Sequence, residues 1–428
     1  STQVGSARTL DRPVPVVTCI QLDMTKSARM SQDVSKSVSS APVSSTGGNE
    51  RQDRSAFPYR QLASRWRVLL WIVVWLILVD VGLTVLFPFP RMFDERPTWA
   101  QRYFDRGRSV EGKLNRMVGD DLENSAPIIS SGWIDPNDWR DLPQAPQGDD
   151  DLLVSFYGMS FTNRASDALV ELDGNITTRN IAAPSAPPNH TFAAYMADEE
   201  GRNADYAVFG ILASSIRRMR SMSGMNWTYS YPTPYTYPYY TLDDEGALVA
   251  NEPAISTAPE FLTAFNRQDE TWTTFEDQLE RYDYPFKPLL FHTNVIDRSV
   301  FLRFIRSEWI GRTTTSSEAG LYEFGQGFNP DAEQVRVLQA MLADFSQTAR
   351  DAGQVPVVML FSNRGYGSEL YDVLATELAR LDVLVLDTNR IAPANDPASF
   401  ARDGHFTDEA NINVVRALRE MIRAEGEG

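Results

Sequence analysis

Four short apolar runs, LLVSFYG, YAVFGIL, VPVVML and DVLVLD, punctuate the chain between Leu152 and Asp387. Nearly continuous Val- and Leu-rich runs of this length suit strands buried on both faces of a parallel sheet. Other stretches carry apolar residues three or four apart. Val335, Leu338, Leu342 and Phe345 form one such stripe, and Val415, Leu418 and Ile422 another. That spacing is the signature of helices covering a core. Strands alternating with helices predict an α/β fold, a doubly wound parallel-sheet sandwich, over residues 151–428. The stretch from about Trp227 to Gly327 breaks the rhythm and is expected to be an insertion.

The longest apolar run lies earlier. Val68 to Phe87, VLLWIVVWLILVDVGLTVLF, is 20 residues long and at 1.5 Å per residue spans roughly the 30 Å of a bilayer's hydrocarbon layer. A transmembrane helix within residues 65–90 is therefore predicted, with Pro88 and Pro90 stopping it. Arg65 and Arg67 lie closest to the apolar run, which favours a cytoplasmic N-terminus and an extracytoplasmic C-terminal domain, in a bacterial periplasm or on the cell surface. Asp80 falls inside the run, where a carboxyl costs about 2.5 kcal/mol or more unless neutral or partnered. Contact with a second membrane protein is one reading. A protonated or snorkelling side chain is the other.

Around the span the pattern is polar. Residues 1–64 lack an apolar period and are expected to be disordered. Thr98 to Val118 reads as an amphipathic helix leaving the membrane. Residues 119–150, rich in Pro, Asp and Gly, read as a linker, so 91–150 is expected to act as a stem.

The net charge of −17 argues against non-specific nucleic-acid binding, because a phosphate backbone would be repelled. One cysteine, Cys19, excludes an intramolecular disulfide and a Cys-based zinc site. The chain holds three histidines, so an imidazole base would be His190, His292 or His405.

Two segments carry candidate chemistry. In LLVSFYGMSFTNRASDAL, an apolar strand ends at Gly158 and Met159, and Ser160 opens a helical pattern. Ligands of open α/β sheets bind at the carboxyl ends of strands, where a helix start also offers backbone N–H groups to an oxyanion. Helix capping is the competing job for such a serine. In ARDGHFTDEANINVV, Asp403 and His405 share a polar turn just before the last helix. A serine hydroxyl needs a base to take its proton, and an imidazole held by a carboxylate is a common solution.

Together, Gly158-Met159-Ser160 and Asp403-Gly404-His405-Phe406-Thr407 resemble the nucleophile block and the last block of the SGNH/GDSL hydrolase superfamily, over roughly residues 151–428. The resemblance implies a flavodoxin-like fold and a serine esterase or O-acyltransferase without metal or organic cofactor. Ser160 would be its nucleophile, His405 its base and Asp403 the orienting carboxylate, with Asp387 as a second choice. Substrates would be acyl esters, acetyl foremost, of an extracytoplasmic glycan. A multi-pass O-acyltransferase reached through Asp80 is the implied partner.

Three departures stand out. Met159 replaces the Asp usual beside the nucleophile. Asp403 precedes His405 by two residues instead of three. Gly210-Ile211-Leu212 best matches the Gly-x-Asn block, and the Leu212 side chain has no amide to donate. In NIAAPSAPPNH, the backbone of Ser185 and the amide of Asn189 stand as substitute oxyanion donors, and His190 is expected to line the site. His292 is expected to be structural. The aromatic run from Trp227 to Tyr240 either stacks on sugar rings or packs against the domain. A non-catalytic scaffold that binds glycan or a partner protein is the alternative function.

Overall fold

The structure is a computed structural model that describes residues 59–90, 97–148, 151–227, 231–315 and 319–426. Most of the polar N-terminal segment, residues 1–58, therefore lies outside the described residues.

Ahead of the sheet come α1 (Tyr59–Leu86), α2 (Trp99–Asp105), α3 (Val110–Met117) and a single turn, α4 (Pro127–Ser130). The first half of the α/β unit is β1 (Leu152–Met159), α5 (Ser160–Leu172), β2 (Ile176–Ala183), α6 (Pro188–Ala197) and β3 (Tyr206–Leu212). A long excursion follows. It contains the hairpin β4 (Tyr239–Leu242) and β5 (Leu248–Asn251), and the helices α7 (Ala258–Arg267), α8 (Glu270–Tyr282), α9 (Pro288–Phe291) and α10 (Val300–Thr315). It closes on the small hairpin β6 (Tyr322–Glu323) and β7 (Gly327–Phe328). The chain rejoins the sheet through α11 (Glu333–Asp351), β8 (Val355–Phe361), α12 (Glu369–Leu381), β9 (Leu384–Asp387) and α13 (Asp408–Gly426).

Five strands form one sheet, all parallel, in the order β2-β1-β3-β8-β9. Because β3 pairs directly with β8, everything between them is one elaborated crossover. The strands bury alternate residues on opposite faces. Val357 and Met359 of β8 meet α5 and α13, whereas Val358 and Leu360 meet α6, α11 and α12. Helices on both faces explain why four of the strands read as nearly continuous apolar runs. The chain reverses direction across the sheet between β1 and β3. In doubly wound sheets this switch point opens a crevice at the carboxyl ends of the strands.

The segment after the apolar helix is not a stem. Val110, Leu114, Ile129 and Trp133 are buried in the same core as β1 and α5. The helix expected over Thr98–Val118 is two helices, broken where the chain crosses α10. A Cβ on Gly107 would sit 1.7 Å from the Arg303 carbonyl oxygen, so only glycine permits the crossing. Asp105, Arg108, Arg116 and Arg303 then form a buried ion cluster tying α2, α3 and α10 together.

Trp66–Leu86 of α1 is long and apolar enough to cross a membrane, with a mean hydropathy of 2.6 and none of its 18-residue core buried. Asp80 finds its partners within its own chain. Its Oδ1 accepts from the Phe301 N–H at 2.8 Å and the Ser299 hydroxyl at 3.1 Å, at the start of α10. A second membrane protein is not needed to satisfy it.

Candidate active site

β1 delivers Ser160 to the switch point as the first residue of α5. The turn from strand to helix is tight because Gly158 and Gly210 leave room for Thr162. A Cβ on either glycine would lie 2.2 or 2.1 Å from the Thr162 hydroxyl oxygen. Thr162 thus packs over β1 and β3 together and sets the height of the helix start.

His405 arrives from the far end of the chain. The Ala401 N–H donates to the His405 carbonyl at 2.8 Å, and Gly404 takes the positive φ of 90° that this turn requires. Phe400 and Phe406 bridge across the loop, and Thr407 caps α13 by accepting from the Ala410 N–H at 3.3 Å. The imidazole lies over Phe161 with ring centroids 4.9 Å apart, and Phe406 packs edge-on against Phe161. Held there, His405 Nε2 is 2.7 Å from the Ser160 hydroxyl oxygen.

Asp403 stands behind the ring, with Oδ2 at 3.2 Å from His405 Nδ1. The contact is electrostatic and not an aligned hydrogen bond, for Nδ1 has no hydrogen-bond partner among the described residues. The carboxylate is shared. Oδ1 accepts the backbone N–H of His405 at 3.1 Å, and Oδ2 accepts from Arg164 Nη2 at 3.0 Å. The two-residue spacing makes this geometry: the carboxylate first caps its own turn. Arg164 lies one helical turn after Ser160 on α5, and Asn411 of α13 holds its carbonyl at 2.8 Å. Sequence reasoning missed Arg164, although its i+4 spacing from Ser160 placed it on the same helix face.

The charges around His405 set its proton affinity. Burial lowers its pKa below the ordinary 6.5, the Arg164 guanidinium lowers it further, and Asp403 offsets only part of this. Burial would raise the Asp403 pKa. The His405 backbone N–H, the imidazole and Arg164 outweigh that and hold it below the ordinary value. At neutral pH the pair is a neutral imidazole beside a carboxylate, with Nε2 able to accept the Ser160 proton.

The remaining sequence candidates fall at different places. β2 runs beside β1 in register, Met159 opposite Ala183, so the loop carrying Ser185 leaves the sheet next to Ser160. Ser185 has φ of 61°, a backbone conformation that favours glycine. Tyr235 donates to the Pro184 carbonyl at 2.7 Å and Arg218 to the Ser185 carbonyl at 2.9 Å, bracing that loop from outside. Asn189 is fully buried, and its amide donates to the Met219 and Pro238 carbonyls, both at 3.3 Å. It ties α6 to the following segment, and its hydrogens are already committed. Leu212 ends β3 and packs its apolar side chain on the core. At the neighbouring strand end, Asn363 accepts the Ser214 N–H at 3.4 Å, placing an amide side chain after β8 that sequence reasoning did not single out.

His190 does not line an open site. It is 1% exposed, donates from Nε2 to the Gly132 carbonyl at 2.7 Å, and packs against Tyr235 and Tyr237. Burial depresses its pKa to about 4, which leaves it a neutral support for the Tyr235 brace. Asp387 is engaged with Ser368 at 2.7 Å and caps the turn at Asn389, away from His405. His292 is 3.6 Å from Glu276 on α8. Trp227, Tyr235, Tyr237 and Tyr240 point their rings into the domain, so these members of the aromatic run are packing residues; residues 228–230 lie outside the described part. Among the described residues, no group of three or more His, Cys, Asp or Glu is arranged to hold a metal ion. Comparison of the chain with protein-family models, with curated proteins and with solved structures finds no match.

Proposed function

We propose that this chain is a membrane-tethered serine esterase or O-acyltransferase of SGNH type, acting on acyl esters, acetyl foremost, of an extracytoplasmic glycan. The observation that carries the reading is the 2.7 Å contact between Ser160 Oγ and His405 Nε2, made by residues 245 positions apart at a sheet switch point. Ser160 Oγ attacks the acyl carbonyl while Nε2 takes its proton. The carbonyl oxygen becomes an oxyanion, and the Asp403 carboxylate stabilises the imidazolium formed at the same moment. Collapse of the tetrahedral intermediate breaks the ester bond, and Nε2 returns the proton to the departing alcohol. Water then attacks the acyl-serine in hydrolysis, or a sugar hydroxyl in transfer. A multi-pass O-acyltransferase beside the span would be the acyl supplier in the second case.

For the oxyanion, the backbone N–H groups at the start of α5 and at Ser185 are the donors this reading assigns. A backbone donor explains how the site does without the family's asparagine at Leu212. Each such donor is worth about 2.7–4 kcal/mol in the transition state.

One observation favours the scaffold alternative. Asp403 divides itself between Arg164 and its own turn, leaving Nδ1 without an aligned acceptor. Turnover of p-nitrophenyl acetate by the full chain in detergent separates the two readings. Catalysis predicts a rate that falls at least ~10³-fold in both Ser160→Ala and His405→Ala. A wild-type rate equal to that of the two variants would favour the scaffold.

A further inference from the structure

Helix α10 is built inside out. Its buried face is its charged one: Arg303 is 6% exposed and pairs with Asp105, while Arg306 is 2% exposed and pairs with Asp297. Its open face is mostly apolar, with Phe301, Leu302, Phe304, Ile305 and Trp309 each between 39% and 52% exposed; Glu308, seven residues after Phe301, is the exposed acidic side chain on that face. A helix at a water interface has the opposite arrangement. Burying two guanidinium groups while presenting five large apolar side chains is favourable where the surroundings are hydrocarbon.

The position of α10 supplies the same answer independently. Its N-terminus is bonded to Asp80, six residues before the end of α1 and so about 9 Å inside the end of the apolar span. The lipid-facing surface of α1 therefore continues onto α10. Phe304 also meets Tyr103 of α2, which stacks on Trp99, itself 71% exposed. Aromatic rings of this kind gather at the boundary between headgroups and acyl chains.

We propose that α10 is embedded in the bilayer leaflet through which α1 leaves the membrane, its open face in contact with lipid acyl chains. Asp80 is the pin that holds it there. Its carboxyl caps Phe301 and Ser299 at the helix start, a position where a carboxylate is favoured. Arg303 and Arg306, locked to Asp105 and Asp297, transmit the anchoring to α2, α3 and the core. The domain is thus seated on the membrane at a fixed height, not carried on a stem. This inference is independent of the chemistry at Ser160.

The test uses the full chain in liposomes, with Cys19→Ser and a single reporter cysteine carrying an environment-sensitive fluorophore. Ile305→Cys and Leu302→Cys report on α10, and Phe324→Cys, at a residue 87% exposed on the β6–β7 hairpin, is the aqueous reference. Brominated acyl chains are expected to quench the labels at 305 and 302, while aqueous iodide quenches only the label at 324. Iodide quenching at 305 and 302 as strong as at 324 would overturn the proposal. Shielding from both quenchers would overturn it too, because a protein surface would then be covering the helix.

Discussion

At the scale of single residues, Arg164 is the most informative side chain around the candidate site. It draws on the Asp403 carboxylate and lowers the proton affinity of His405. Its removal has two consequences of one sign: the positive charge goes, and Asp403 is freed for Nδ1. Both raise the His405 pKa. In wild type the acid limb of kcat/KM is expected below the ordinary histidine value of 6.5, and Arg164→Gln should move it to higher pH. An unmoved limb would show that Arg164 is only structural. Asp403→Asn should slow turnover by well short of the ~10⁴-fold loss seen where such a carboxylate is fully aligned.

His190 makes a stability prediction instead. Its folded pKa of about 4 lies below its ordinary 6.5, so between those values the unfolded chain binds a proton the folded chain does not. Stability therefore rises with pH across that window and is lost as pH falls through it. At about 1.4 kcal/mol per unit, the loss is on the order of 3 kcal/mol. Denaturant titrations at pH 7 and pH 4.5 should show a smaller acid penalty for His190→Gln than for wild type. Ser160, Asp403 and His405 were legible from motif and order alone. What the sequence could not reveal was commitment: Asn189 looked free to donate and His190 looked open to the site, but tertiary neighbours claim both.

At the scale of elements, the turn from β1 into α5 is the critical joint. Gly158→Ala would drive a methyl group into Thr162, a stiff β-branched side chain, and lift the start of α5 from the sheet. The expected cost is about 1–3 kcal/mol of stability. Ester turnover should fall with it, since Ser160 rides on that joint. Adding Thr162→Ala to Gly158→Ala should recover much of the lost melting temperature, and a double variant no better than the single would contradict this packing account. Four of the five strands announced themselves as apolar runs. β2 did not, because an edge strand tolerates polar residues; its Arg179 is buried against Asp198 at 2.7 Å, and no hydropathy pattern foretells that pairing. For the same reason 98–118 read as one amphipathic helix leaving the membrane: Asp105 and Arg116 look like surface residues until their pairing with each other and with Arg303 of α10 is seen.

For the whole molecule, the α/β class and the apolar span followed from periodicity, whereas the join between span and domain required the structure. Val110, Leu114 and Met117 belong to the domain's core, so a chain begun at residue 119 loses part of its packing. In detergent it should melt well below a chain begun at residue 97. Equal melting temperatures would mean that residues 97–118 contribute nothing to the fold. The 245 positions that separate Ser160 from His405 also make their contact a property of the completed fold. Any local disruption of α5 or of the 400–407 turn should silence it without touching either side chain.

The most direct test of the central claim is covalent. The full chain in detergent at neutral pH is treated with a fluorophosphonate, and the modified peptide is identified by mass spectrometry. The account predicts a single adduct on Ser160 that His405→Ala abolishes. A folded chain that stays unlabelled, carries the adduct elsewhere, or labels Ser160 equally well without His405 would contradict it.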